Sequence, residues 1–110
     1  MVDWTRVKDL QDEIGAEDFA EVVQLFLEET DEVVERLIAS PPLTEVEALL
    51  HFLKGSSVNL GLATLAKICA EGERRAAAGA PQEVDLAAVA AIYARCKNEF
   101  LTGLESRRAA

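Results

Sequence analysis

The chain has 110 residues, half of them hydrophobic and only 5 % aromatic, which predicts one domain over residues 1–110 with an aliphatic core. A formal net charge of -9 disfavours nucleic acid and anionic membrane, which would repel the chain, and favours a protein partner. Met1-Val2-Asp3-Trp4 lacks the basic and apolar regions of a secretory signal, and no apolar run approaches the ~20 residues of a membrane span, so a soluble, cytoplasmic protein is expected.

Asp3 is placed to cap a short first helix through about Ile14, with Trp4, Val7, Leu10 and Ile14 recurring at helical spacing, and Gly15 breaks it. From Glu17 to Ala39 the apolar positions Phe19, Val22, Val23, Phe26, Val33, Val34 and Leu37 follow a helical period, while Glu21, Glu28, Glu32 and Glu35 take the other side. Ser40-Pro41-Pro42 forbids continuation, and Thr44 followed by Glu47 forms a capping box that restarts a third helix to about Leu60. Gly61 interrupts the pattern, Leu62 to Ala78 is again helical, and Gly79-Ala80-Pro81 stops it. Asp85 caps a last helix that carries Leu86, Val89, Tyr93, Cys96 and Phe100 on one stripe and ends near Arg107. Short connections imply antiparallel neighbours: an all-α, up-down-up-down four-helix bundle with the short N-terminal helix across one end.

Cys69 and Cys96 lie far apart on apolar stripes and are expected to be free, buried thiols. The only histidine, His51, falls nearly opposite the core stripe of the third helix, which is Val46, Leu49, Leu50, Leu53, Ser57 and Leu60. It shares its face with Glu47, Lys54, Gly55 and Val58 and should be reachable from solvent. A glycine inside a helix costs about 1 kcal/mol relative to alanine, and nothing in the sequence marks Gly55 as a kink or helix end. Its lack of a side chain clears the approach to the imidazole, and Lys54 adds a positive charge suited to phosphoryl oxygens.

The run His51-Phe52-Leu53-Lys54-Gly55-Ser56-Ser57-Val58-Asn59-Leu60-Gly61 closely resembles the signature of the histidine-phosphotransfer (HPt) family, His-x-Leu-Lys-Gly-Ser-Ser-x-x-Leu-Gly. Asp3-Trp4-Thr5, Glu17-Asp18-Phe19 and Leu62 to Gly79 also resemble that family's helices. The resemblance implies that His51 accepts the phosphoryl group, Lys54 assists electrostatically and Gly55 gives access. It further implies that Ser56 and Ser57 bond to helical carbonyls or pack between helices, and that Gly61 lets the next helix start close by.

Glu73 sits within the inward stripe of the fourth helix, Leu62, Leu65, Ala66, Cys69 and Ala76, where a carboxylate needs a partner. It is a candidate to accept a hydrogen bond from Nδ1-H of His51 and so orient the ring, although the helical wheels aim the two side chains apart and require them to meet at the rim of the helix pair. The rival reading is a Glu73 that reaches solvent near the bundle end.

A neutral imidazole is nucleophilic near cytosolic pH, and no Asp cluster beside His51 suggests a Mg²⁺ site, so no cofactor or metal is expected on this chain. The resemblance implies that a response-regulator receiver domain supplies the aspartate and its Mg²⁺, with a sensor or hybrid histidine kinase upstream and no autonomous kinase activity here. A stand-alone, monomeric carrier is expected. Val58, Ile14, Phe19 and Val23 are candidates for the partner-binding patch, with core packing the alternative use for at least two of them. Against a metal site, His51 points away from the cysteine stripe; against a serine nucleophile at Ser56 or Ser57, no second histidine exists. The remaining rival is an HPt-like module that only docks or inhibits, for which Lys54 and Gly55 would not be required.

Overall fold

Proline and glycine set most helix boundaries in the computed structural model, which describes residues 1–109. Helix α1 (Trp4–Ile14) starts where Asp3 Oδ1 accepts the backbone N–H groups of Thr5 and Arg6 at 3.1 and 3.2 Å. Gly15, at φ +97°, ends it and leads directly into α2 (Ala16–Ile38). After Pro41-Pro42 comes α3 (Leu43–Leu60), then α4 (Ala63–Ala77), a 3-10 turn at Pro81–Glu83, and α5 (Leu86–Ala109), where Asp85 Oδ1 accepts the N–H of Ala88 at 2.9 Å. No strand occurs among the described residues, so the fold is all-helical.

One expected cap does not form. The N-cap position of α3 is Pro42, at φ -53°, with no side-chain hydrogen bond. Proline's fixed φ already suits the first turn, so the helix begins at Leu43 and Thr44 lies inside it, where it cannot pair reciprocally with Glu47.

Helices α2 to α5 pack in a ring, each against the next, with α3 and α4 the most extensive pair and the diagonal pairs apart. Val46, Leu50, Leu53, Leu60, Leu62, Leu65 and Phe100 are fully buried at its centre. Cys69 and Cys96 are buried there as free thiols, and burial, reinforced by nearby Glu73, pushes Cys69 up to about 12, leaving it protonated.

Two glycines let α1 reach the bundle. The N–H of Asp3 donates to Gly61 O at 2.7 Å, and a Cβ on Gly61 would stand 2.7 Å from Asp3 O. Trp4 stacks on Phe100, centroids 6.1 Å apart, and the Arg107 guanidinium covers the Trp4 ring at 3.5 Å. Gly103 leaves the space this needs, since a Cβ there would fall 2.1 Å from the indole. Across the α2–α5 contact, Tyr93 donates its hydroxyl to Asp31 Oδ1, and Lys97 Nζ lies 2.9 Å from both carboxylate oxygens.

Candidate functional site

Helix α3 buries Val46, Leu49, Leu50, Leu53, Ser57 and Leu60 and turns His51 outward, its side chain 69 % exposed. The ring nevertheless has a firm partner: Nδ1 lies 2.7 Å from Oε1 of Glu73 on α4. Glu73 is only 18 % exposed, so the inward carboxylate and the outward imidazole meet at the rim of the α3–α4 pair. Its other oxygen, Oε2, is 2.6 Å from Lys54 Nζ. That contact is an ion pair without the angles of a directed hydrogen bond, and Oε2 has no hydrogen-bond partner among the described residues.

The contact to Lys54 first, and the bond to His51 second, hold the Glu73 carboxyl below its usual range. Glu73 is therefore an anion at neutral pH and can only accept, which requires a proton on Nδ1 of His51. In the neutral ring the lone pair then belongs to Nε2.

Lys54 does not stand as a free cation beside the imidazole. Its side chain is 33 % exposed and its charge is already spent on Glu73, a neighbour on α4 that a wheel of α3 alone does not show. Apart from its own helix backbone, Gly55 has no atom of the described residues within 4 Å of where its Cβ would be and no left-handed backbone, so neither packing nor conformation among the described residues requires glycine there. Ser56 and Ser57 are buried, and Ser57 Oγ donates to Leu53 O at 2.6 Å.

The four residues proposed for partner contact separate. Val58 is 56 % exposed on the outer side of α3, and Ile14 is half-buried at the end of α1. Phe19 and Val23 are 7 and 5 % exposed: they lie on the inward stripe of α2 and pack in the core, the alternative use expected for at least two of the four. Phe52, 41 % exposed beside His51, is an apolar surface residue that the sequence reading passed over. A groove framed by α1, α2 and α5 and floored by Phe19, Val23 and Leu27 contains none of His51, Lys54 or Glu73. The imidazole thus stands on an open helix face, an arrangement suited to a macromolecular partner.

A family model described as the Hpt domain matches residues 21–104, which takes in most of α2, all of α3 and α4, and α5 as far as Leu104. The chain belongs to the Hpt domain family. Hpt domains are phosphocarriers rather than enzymes, and membership implies histidine phosphotransfer in two-component signalling, where the family interacts with receiver domains and histidine kinases. Helix α1 and the start of α2, including the resemblances at Asp3–Thr5 and Glu17–Phe19, lie outside the matched residues. Comparisons with curated proteins and with solved structures give no match. Among the described residues of this Hpt domain, no cluster of three or more His, Cys, Asp or Glu side chains is arranged to hold a metal ion, and no helix is long and apolar enough to cross a membrane.

Proposed function

We propose that this Hpt domain carries a phosphoryl group on Nε2 of His51 between the aspartate of one response-regulator receiver domain and its next partner. The observation that carries the reading is the pairing of an exposed imidazole with a half-buried, ionised carboxylate: Glu73 holds Nδ1 at 2.7 Å while the ring remains 69 % exposed. Nδ1 is thereby committed to its proton and Nε2 is the nucleophile.

In the loading step the Nε2 lone pair attacks phosphorus, the N–P bond forms, and the P–O bond to the receiver's aspartate breaks, releasing a carboxylate. The proton on Nδ1 stays, so the ring becomes a phosphorylated cation whose charge faces Glu73. Unloading reverses each change and leaves a neutral imidazole. Catalytic Mg²⁺ belongs to the receiver, and this chain contributes position and the Glu73 charge. A sensor or hybrid histidine kinase stands upstream; the chain works as a cytoplasmic monomer without kinase activity of its own, and the helix ring runs up-down-up-down. Lys54 is the cation nearest to assist, by sharing itself between Glu73 and the incoming phosphoryl oxygens.

The test is to incubate the protein with phosphorylated receiver domains and map any acid-labile adduct by mass spectrometry. Label on His51, absent from His51→Gln, supports the proposal; a chain that takes no label from any competent donor ends it.

A further inference from the structure

Gly72, like Gly103, is a mid-helix glycine whose circumstances are the opposite of Gly55's. Gly72 lies buried inside α4 with ordinary helical backbone, so no left-handed conformation explains it. What explains it is space. A Cβ at Gly72 would stand 3.0 Å from Leu50 Cδ1 and 3.2 Å from Val84 Cγ1, both closer than side chains normally pack. Val84 is half-buried in the connection before α5 and has room to give. Leu50 is fully buried in the core and has little.

The positions of these residues tie the notch to the site. Leu50 immediately precedes His51 on α3, and Gly72 immediately precedes Glu73 on α4. The tightest α3–α4 approach shown by any glycine therefore sits one residue before the pair whose contact defines the site. Glu73 has little slack to compensate for a wider spacing, because His51 engages Oε1 at 2.7 Å and Lys54 engages Oε2 at 2.6 Å. We propose that Gly72 is a positioning residue: its missing side chain seats Leu50, sets the local spacing of α3 and α4, and so brings Glu73 within bonding distance of His51. The inference deepens the carrier reading and rests on it for its effect on phosphotransfer.

Gly72→Ala adds the clashing Cβ while improving helix propensity, so stability and activity should part. Crowding of Leu50 opposes the propensity gain, so the variant is expected to keep its helical circular dichroism and melt close to the native temperature, yet accept phosphoryl groups about three- to tenfold more slowly, a fraction of the hundredfold that a 1 Å misplacement can cause. Because His51 is the only histidine, ¹⁵N NMR of its ring reads the positioning directly: the Nδ1-H tautomer should give way to the ordinary Nε2-H form. Leu50→Val removes both Cδ atoms, so the pair Leu50→Val/Gly72→Ala should recover the native tautomer and rate. In a Glu73→Ala background, Gly72→Ala should change the rate no further. A native tautomer and rate in Gly72→Ala would overturn the proposal, as would undiminished slowing in the Glu73→Ala background. Should Gly72→Ala alone lose its helical signal, the double variant decides by the same tautomer readout: the native form supports the proposal and its loss overturns it. The NMR measurement needs no phosphoryl donor, so a protein that never takes up phosphate would sink the carrier reading while leaving Gly72's role separately decided.

Discussion

Replacing Gly55 should stabilise the protein and harm its transfer reaction. Gly55 occupies the interior of α3 with no left-handed backbone, and a Cβ there meets no atom within 4 Å. Nothing therefore subtracts from the propensity gain, and Gly55→Ala should add about 0.8–1 kcal/mol. In a domain of this size that raises the melting temperature by roughly 4 °C. The same open space lies one helical turn from His51, on the side from which the proposed partner would approach. Alanine should slow phosphotransfer modestly, whereas Gly55→Gln, whose longer side chain reaches across the imidazole, should slow it by more than tenfold while remaining at least as stable as the native chain. Thermal denaturation followed by circular dichroism gives the first quantity, and loss of label from a phosphorylated receiver gives the second. A destabilised Gly55→Ala would mean that the glycine serves the fold, and native transfer by Gly55→Gln would mean that no partner uses the space.

Glu73→Ala should slow loading of His51 by about tenfold or more, with Glu73→Gln intermediate because an amide oxygen still accepts from Nδ1-H; single-turnover labelling ranks the three. The lowered carboxyl of Glu73 also fixes a sign: what its ion contacts add to stability is fully present above the unfolded carboxyl value near ~4.3 and is lost as pH falls through the lower folded value, a course that an NMR titration would follow. For Asp31, burial pushes the carboxyl up, but the bonds from Tyr93 and Lys97 together outweigh it and the net direction is down. Asp31→Asn should cost about 1 kcal/mol in urea unfolding at neutral pH, limited by solvent screening of a 40 % exposed side chain, and the difference should shrink as the solution is acidified below the unfolded aspartate's value near ~3.9. Gly103→Ala puts a Cβ 2.1 Å from the Trp4 ring, so the indole must leave its place between Phe100 and Arg107; a loss of about 1–3 kcal/mol and a red-shifted tryptophan emission are expected, and unchanged fluorescence would contradict the packing.

Most of the helical framework was legible because its signals are local. Gly15, Pro41-Pro42, Gly61 and Gly79-Ala80-Pro81 act on their own backbones, and the observed ends fall within a residue or two of where they predict. The exposure of His51 and the burial of Leu50 and Leu53 follow from the period of one helix. What the sequence concealed depends on a second helix. The apolar stripe of α2 marks Phe19 and Val23 as core-compatible, but which stripe residues stay open to a partner depends on the helices packed over them. The positive charge of Lys54 follows from the sequence, but its pairing with Glu73 appears only once α4 lies beside α3. Gly103 and Gly72 carry the same mid-helix signal as Gly55, but what faces each notch, like the Asp31–Tyr93–Lys97 cluster, is not legible, since a contact between helices far apart in sequence leaves no periodic trace.

The meeting of His51 and Glu73 is instructive because the two wheels spoke against it. A wheel assigns directions about one axis, and each helix here obeys its own: α3 turns His51 to solvent and α4 turns Glu73 toward the bundle. At the seam between adjacent helices, however, a direction that is outward for one axis and inward for the other can converge on one line. The seam resolves an electrostatic conflict as well. A carboxylate carried fully into the core would protonate or demand a buried cation, and one fully in water would hold the ring only loosely. At 18 % exposure, with an ammonium on one oxygen and an imidazole N–H on the other, Glu73 stays ionised and fixed, while the ring it orients stays open to whatever docks. In the proposed carrier role the division of labour follows from that placement: the helix pair fixes which nitrogen is bare, and a docked receiver would bring the phosphorus to it.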